Sequence, residues 1–165
     1  MIYGQSLYYL PDLKRLKAIP FHENFVYEIK EGDCIGELVG LTGFEHSLVF
    51  DSNEYTSTQI VLYAKKEGEI IALASATMTN NKMWEMGVDV LPPYRKVGLA
   101  TILISHLAIK ILEKGIVPYY CAASSNIGSQ AVAYQSGFVS SWISTYKNIL
   151  DKSSPFNEIL KDLKL

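Results

Sequence analysis

The chain has 165 residues with a formal net charge of -2 at pH 7, and 48% of its residues are hydrophobic while 19% are charged. This composition predicts one compact domain with a substantial core and excludes a disordered or fibrous chain. A chain so close to neutral lacks the positive field that holds a phosphate backbone or an anionic membrane, so neither nucleic acid nor membrane is an expected partner.

The cysteines and the apolar segments favour a reducing, cytoplasmic location. Cys34 and Cys121 lie far apart, and neither belongs to a C-x-x-C pair, which argues against a zinc ribbon and a disulfide-rich secreted scaffold. The N-terminus has no basic segment followed by an apolar one, and polar side chains interrupt the most apolar stretch, residues 97–112. No export signal and no membrane span is therefore expected.

The first 58 residues carry the weakest structural signal. Pro11 is expected to open a short helix through Leu16, and residues 25–29 alternate like a strand. Asp33 is expected to cap a second short helix that ends near Gly40.

Three β-rich runs then follow one another at residues 59–65, 69–79 and 82–90. Glu67-Gly68 and Asn80-Asn81 separate them and are candidate hairpin tips, because Gly and Asn tolerate positive φ. These runs predict an antiparallel three-stranded meander.

The second half of the chain alternates helices and strands. A helical pattern runs from Arg95 to Gly115, a buried strand covers 117–122, a helix capped within 124–126 runs to about Ser136, and a last strand covers 138–146. A C-terminal amphipathic helix is predicted for 153–165. No linker divides the chain, so one α+β domain with a mixed sheet is expected over residues 1–165.

The segment from Val88 to Thr101 combines the end of a strand, an irregular loop and the first turn of a helix. Gly98 allows the backbone a close approach, and the free amides of the turn, the helix dipole and Arg95 converge on one place, which suits a diphosphate. The loop alone is equally compatible with a packing role for Gly98 and Ala100 and a solvated Arg95.

Two blocks resemble the GNAT superfamily of acyl-CoA-dependent N-acyltransferases. Arg95-Lys96-Val97-Gly98-Leu99-Ala100 is similar to the family signature Arg/Gln-x-x-Gly-x-Gly/Ala, and the strand and loop before it resemble the family's fourth strand and its connection. Residues 126–133 with Gly137-Phe138 resemble the helix and Gly-Phe turn after the fifth strand. The resemblance covers roughly 59–146 and implies a GNAT-like fold, a mixed and mainly antiparallel sheet flanked by helices.

The resemblance also implies where the cofactor lies. The strands at 82–90 and 117–122 would splay apart to admit the pantetheine arm, and the loop 95–101 would wrap the diphosphate. Lys96 stands where the family often has Gly, a mild departure for a loop that binds through backbone amides. The implied cofactor-binding residues are Val88, Asp89, Val90, Arg95, Lys96, Val97, Gly98, Leu99, Ala100, Thr101, Asn126 and Ser129.

Acetylation of an amine requires a base, because the ammonium form is not nucleophilic. The family often uses a carboxylate on the fourth strand, where Glu85 is the candidate and a solvated charge is the alternative. Asp89 is the second choice, with a structural role in bonding loop amides favoured for it. The backbone N–H near Val88 is expected to polarise the carbonyl.

The family's general acid is commonly a tyrosine, at the position held here by Ala133. This chain has Tyr134 instead, and one step along a helix is a rotation of about 100°. Tyr134 is the remaining tyrosine candidate, and the general acid is otherwise unassigned. Tyr119 and Tyr120 alternate across their strand, so one is expected to line the acceptor pocket and the other to enter the core.

The expected function is N-acetyl transfer from acetyl-CoA to a primary amine of an unidentified acceptor, directly within a ternary complex. No metal is expected, since the histidines form no cluster with other ligand types. Acetyl-CoA and the acceptor are the expected partners, and homodimerisation is left open. A non-catalytic acyl-CoA-binding sensor or assembly module is the alternative, prompted by Ala133, and a plain interaction domain is the third.

Overall fold

The computed structural model describes residues 2–148, which form a seven-stranded sheet with two α-helices packed on one face. The strands are β1 (Ile2–Pro11), β2 (Val26–Glu31), β3 (Thr58–Lys66), β4 (Glu69–Met78), β5 (Met83–Val90), β6 (Val117–Ala123) and β7 (Phe138–Asn148). The helices are α1 (Leu99–Glu113) and α2 (Ile127–Gln135), with 3-10 helices at Gly32–Leu38 and Pro92–Tyr94. The helix predicted for 153–165 lies outside the described residues.

The sheet order is β2-β3-β4-β5-β6-β1-β7. Neighbouring strands are antiparallel except β5 and β6, which are parallel. The mixed, mainly antiparallel sheet flanked by helices is thus confirmed, and the parallel pair lies at its centre. Parallel strands need a long crossover, which α1 provides.

The predicted meander is present as β3, β4 and β5. At its first tip, Glu67 and Gly68 both adopt positive φ, at 52° and 88°. The second tip closes differently from the prediction, through a side chain: Asn80 Oδ1 accepts hydrogen bonds from the amides of Lys82 (2.8 Å) and Met83 (2.9 Å). Asn therefore serves this turn through its amide oxygen, as in an Asx-turn.

The predictions for the N-terminal part need correction. Residues 2–11 form a strand, and the helix predicted to begin at Pro11 is a single turn in which the Asp12 carbonyl accepts from the amides of Arg15 and Leu16. Asp33 lies within a 3-10 helix whose N-cap is Glu31, and no side-chain cap forms there. Its two apolar residues Ile35 and Leu38 are buried, as the pattern predicted.

The core consists of two clusters on opposite faces of the sheet. The larger one packs α1 and α2 against it, with residues such as Leu103, Leu107 and Met86. The smaller one packs the first 3-10 helix and the loop after it against β3 and β4, with Ile35 and Phe44 at its centre. No helix within residues 2–148 combines the length and apolar character needed to cross a membrane.

Candidate active site

The two central strands part halfway along their length. β5 and β6 pair from Met83 with Val117 to Met86 with Tyr120. Beyond that point, residues 87–90 pair with β4, and residues 121–123 pair with β1. Within the described chain, the facing edges of the two strands therefore keep backbone donors and acceptors without sheet partners.

The gap between these edges is a cleft of about 850 Å³, a volume typical of cofactor sites. It extends from Glu85 past the parted strands to the N-terminal end of α1. The predicted cofactor residues that line it are Val88, Asp89, Val90, Arg95, Lys96, Gly98, Leu99, Ala100, Thr101, Asn126 and Ser129. Val97 lies beside them, with its carbonyl oxygen 2.7 Å from His22 Nε2 and its side chain exposed.

The loop before α1 is tied to the end of β5. Arg95 Nε donates to the carbonyl oxygen of Val90 at 2.8 Å. Lys96 and Gly98 both adopt left-handed backbone, with φ of 66° and 85°. Gly98 is the N-cap of α1, so the amides that follow it open toward the cleft as the unpaired first turn.

The backbone conformation at Lys96 shows why the family signature often has glycine at this position. Lys96 occupies the region that glycine adopts freely and that costs another L-residue roughly 1 kcal/mol. The family's glycine therefore fits this conformation, and Lys96 keeps the loop shape at a cost in strain. The backbone amides that would face a diphosphate stay in place.

The second family block places Asn126 and Ser129 at the other wall of the cleft. Asn126 caps α2 by accepting a hydrogen bond from the Ser129 amide at 3.0 Å. The Ser129 hydroxyl lies 2.8 Å from the hydroxyl of Tyr120. Tyr120 is the last residue of β6 to pair with β5, it lines the cleft, and burial raises the pKa of its hydroxyl. Of the two tyrosines that alternate along β6, Tyr120 is thus the one that lines the cleft, although no family motif assigned it a role.

Glu85 lies where the cleft meets the opposite face of the sheet. Its carboxylate lines the cleft and accepts a hydrogen bond from the Tyr119 hydroxyl at 3.0 Å. That hydroxyl is also 2.8 Å from Thr79 Oγ1. Burial, together with the negative charge of Glu85, raises the pKa of Tyr119 to about 12, so Tyr119 stays protonated and orients the carboxylate as a donor.

Asp89 holds a loop rather than facing free solvent. Its Oδ2 accepts from the amides of His46 (2.9 Å) and Ser47 (2.8 Å) and from Ser47 Oγ (2.9 Å). Gly87 makes room for this loop, because a Cβ there would lie 2.8 Å from the His46 carbonyl oxygen. The loop amides bonded by Asp89 thus come from residues 46–47, and they bring His46 to the rim of the cleft.

Tyr134 lies away from the cleft. Its ring packs edge to face on Tyr9, with centroids 5.4 Å apart, and its carbonyl oxygen accepts from Arg15 Nη2 at 3.1 Å. The neighbouring Ala133 is fully buried. Neither residue lines the cleft, so we do not assign Tyr134 the role of general acid.

Known proteins share both the sequence pattern and the fold. A family model described as GNAT acetyltransferase matches residues 44–147. A putative GNAT-family acetyltransferase from Novosphingobium aromaticivorans superposes with a TM-score of 0.66 at 20% identity, over 88% of this chain and 63% of that one. A GCN5-related N-acetyltransferase-like protein from Streptococcus suis gives 0.66 at 18% identity, over 87% and 61%.

A tandem GNAT protein from the clavulanic acid biosynthesis pathway gives a TM-score of 0.60 at 14% identity, over 88% of this chain and 55% of that one. The chain thus spans about three fifths of the length of these structures, and the likeness concerns the fold. No curated protein sequence matches the chain significantly. Because the family model covers more than half of the chain, including the parted strands and the loop before α1, the chain belongs to the GNAT acetyltransferase family.

Proposed function

We propose that the chain is an acetyl-CoA-dependent N-acetyltransferase that transfers the acetyl group directly to a primary amine within a ternary complex. The observation that carries the proposal is the parting of β5 and β6 beside the unpaired first turn of α1. An unpaired strand edge and an anion-binding helix start, joined by one cleft, match a long ligand with an amide-bearing arm and a diphosphate.

The residues present fit acetyl-CoA. The backbone edge at 87–90 would bond the amides of the pantetheine arm as an added strand does. The amides of 99–101 and the guanidinium of Arg95 would hold the diphosphate. Acetyl-CoA supplies the activated acetyl group, whose carbon–sulfur bond breaks as the carbon–nitrogen bond to the acceptor forms.

Two side chains at the cleft divide the proton transfers. Glu85 takes the proton from the acceptor's ammonium group, directly or through water, because the neutral amine is the nucleophile. Tyr120 gives a proton to the departing sulfur, and its raised pKa keeps that proton available. A backbone N–H near Val88 donates to the carbonyl oxygen, where charge develops.

Calorimetry with acetyl-CoA and with desulfo-CoA tests the cofactor site. We expect both ligands to bind with dissociation constants in the micromolar range. We expect Arg95→Ala to weaken the affinity for each ligand about tenfold, because it removes a charge-assisted contact. Arg15→Ala is the matched control, because Arg15 bonds the Tyr134 carbonyl on α2 and not the loop before α1. Failure of both ligands to bind the intact chain would contradict the proposal.

The role of Tyr120 is tested by Tyr120→Phe. We expect kcat to fall roughly tenfold to a hundredfold with acetyl-CoA affinity unchanged, a modest loss because a thiol with a pKa of about 8.5 is a good leaving group near neutral pH. Steady-state kinetics measures the change. Tyr134→Phe is the control and should leave kcat unchanged. A lowered kcat in Tyr134→Phe together with an unchanged kcat in Tyr120→Phe would reverse the assignment.

A non-catalytic acyl-CoA-binding module is the second candidate, and the buried Ala133 at the family's tyrosine position favours it. Release of free CoA over a panel of polyamines, aminoglycosides, amino acids and arylalkylamines separates the two. An enzyme releases CoA with at least one of them, whereas a sensor binds acetyl-CoA and releases none.

A further inference from the structure

The sheet face opposite α1 and α2 has a covered part and a part that carries aromatic side chains. Over β3 and β4 it is covered by the first 3-10 helix and the loop after it, as the smaller core cluster shows. Over β6, β1 and β7 it carries three aromatic side chains in contact. We call these three residues, Tyr8, Tyr119 and Trp142, the aromatic floor.

The strand register places the aromatic floor on one face. Tyr8 is directly opposite Cys121 on one side and Trp142 on the other, and Tyr119 is two residues before Cys121. The rings of Tyr8 and Trp142 are stacked, with centroids 4.9 Å apart and an interplanar angle of 11°. Tyr119 lies 6.1 Å from both rings, and Trp142 is 39% exposed.

The floor is continuous with the candidate reaction centre. The Tyr119 hydroxyl donates to Glu85, and Glu85 lines the cleft. Cys121, the strand partner of Tyr8, lines the same cleft. A molecule lying on the aromatic floor would therefore reach the proposed base and the parted strands without crossing the sheet.

The charge at this surface matches a single cation. Glu85 is the carboxylate that contacts the floor, and the next acidic residue on the same face of β5, Asp89, is already bonded to His46 and Ser47. Aromatic faces favour planar apolar groups, and their electron-rich surfaces tolerate a nearby cation. Among the described residues, Glu85 is the carboxylate that is hydrogen-bonded to the aromatic floor. One carboxylate beside an apolar platform suits one ammonium group on an apolar body better than a polycation.

We propose, resting on the acetyltransferase function above, that the aromatic floor is the acceptor site and that the acceptor is a monoamine carried on an aromatic ring. The ring stacks on Trp142, and the ammonium group lies against Glu85, which takes its proton. The neutral amine then forms the nitrogen–acetyl bond as the carbon–sulfur bond breaks, and Tyr120 gives its proton to the departing sulfur. The second proton lost by the nitrogen restores the Tyr120 hydroxyl through water, so that the products are the amide, the thiol of CoA and protonated Glu85.

The test uses phenethylamine as the probe, with the chain saturated with desulfo-CoA and binding followed by calorimetry. We expect phenethylamine to bind saturably, and Trp142→Leu to weaken it at least tenfold. Ile143→Ala is the control, because Ile143 is exposed on the opposite face of the same strand and should leave affinity unchanged. In turnover with acetyl-CoA, Trp142→Leu should raise KM for phenethylamine with kcat nearly unchanged.

Spermidine and 2-phenylethanol complete the comparison, since one has charges without a ring and the other a ring without an amine. Spermidine that binds as tightly as phenethylamine, or a Trp142→Leu variant that binds phenethylamine like the unaltered chain, overturns the acceptor site. If either of these outcomes is found while CoA is released with another amine, the acceptor site is wrong but the acetyltransferase function is still supported. Saturable phenethylamine binding through Trp142 without any acetyl transfer supports the site and contradicts the function instead.

Discussion

Glu85→Gln is expected to lower kcat about a thousandfold, within the range that general-base catalysis contributes. Glutamine keeps the shape of the side chain and can still accept the hydrogen bond from the Tyr119 hydroxyl, but it cannot take a proton from the ammonium group. Acetyl-CoA affinity should be unchanged, because the loop before α1 and the strand edge at 87–90 are untouched. Rates across pH with a saturating amine measure the effect.

Glu69→Gln is the matched control, since Glu69 is an exposed carboxylate at the start of β4, at the far end of the strand from the Thr77 that pairs with Glu85. It should leave rate and pH profile alone. The kcat of Tyr119→Phe should lie between those of Glu85→Gln and Glu69→Gln, because Tyr119→Phe removes the donor that orients the carboxylate but keeps the base. An unchanged rate and an unchanged pH profile in Glu85→Gln would show that another group takes the proton.

Asp89→Ala is expected to lower the free energy of unfolding by about 3 kcal/mol, which corresponds to a fall in Tm of roughly 10 °C for a chain of this size. One carboxylate oxygen accepts three hydrogen bonds, and two of the donors belong to Ser47, which is buried. Removing the acceptor leaves the Ser47 amide without a partner away from water, whereas the Ser47 hydroxyl can still donate to the Phe44 carbonyl oxygen at 3.3 Å. Chemical denaturation followed by circular dichroism measures the change.

Asp51→Ala is the control for this loss. Asp51 also accepts from loop amides, those of Asn53 at 2.8 Å and Tyr55 at 3.0 Å, but it is exposed, so water replaces it and the cost should stay below about 1 kcal/mol. The loss of unfolding free energy in Asp89→Asn should lie between those of Asp89→Ala and Asp51→Ala, since asparagine retains one oxygen acceptor without the charge. Equal stability of Asp89→Ala and Asp51→Ala would mean that the loop at 46–47 is held by its apolar contacts alone.

Local signals accounted for the part of the fold from β3 onward. Turn residues separate β3, β4 and β5, and Gly115 and Gly137 end the two helices, so each boundary has a cause within a few residues of it. β1 has no such signal. Its strand formers, such as Ile2, Tyr3, Tyr8 and Tyr9, are interrupted by Gly4, Gln5 and Ser6, which favour strands weakly. Its pairing partners are residues 120–123 and 138–148, and these distant partners decide that the whole segment is one strand.

In the candidate site, too, local sequence signals place some residues, whereas contacts between distant segments place others. The loop before α1 and the residues on β5 were predictable, because a motif fixed them and strand alternation set their faces. The contact of Asp89 with His46 and Ser47 joins residues more than forty positions apart, and the aromatic floor assembles from three separate strands. Tyr120 was predicted only as one of two tyrosines, either of which could line a pocket, because its position as the last paired residue of β6 depends on where β5 and β6 part.

The position of β1 between β6 and β7 has a consequence for how the protein is made. During synthesis β1 leaves the ribosome before its partners β6 and β7, which lie more than a hundred residues further along the chain. The meander can form from neighbouring residues in the meantime, whereas closing a loop of this length costs entropy before any pairing compensates for it. The half of the sheet that forms one wall of the cleft is thus completed late, and until then an unpaired N-terminal strand is exposed to aggregation and to chaperones.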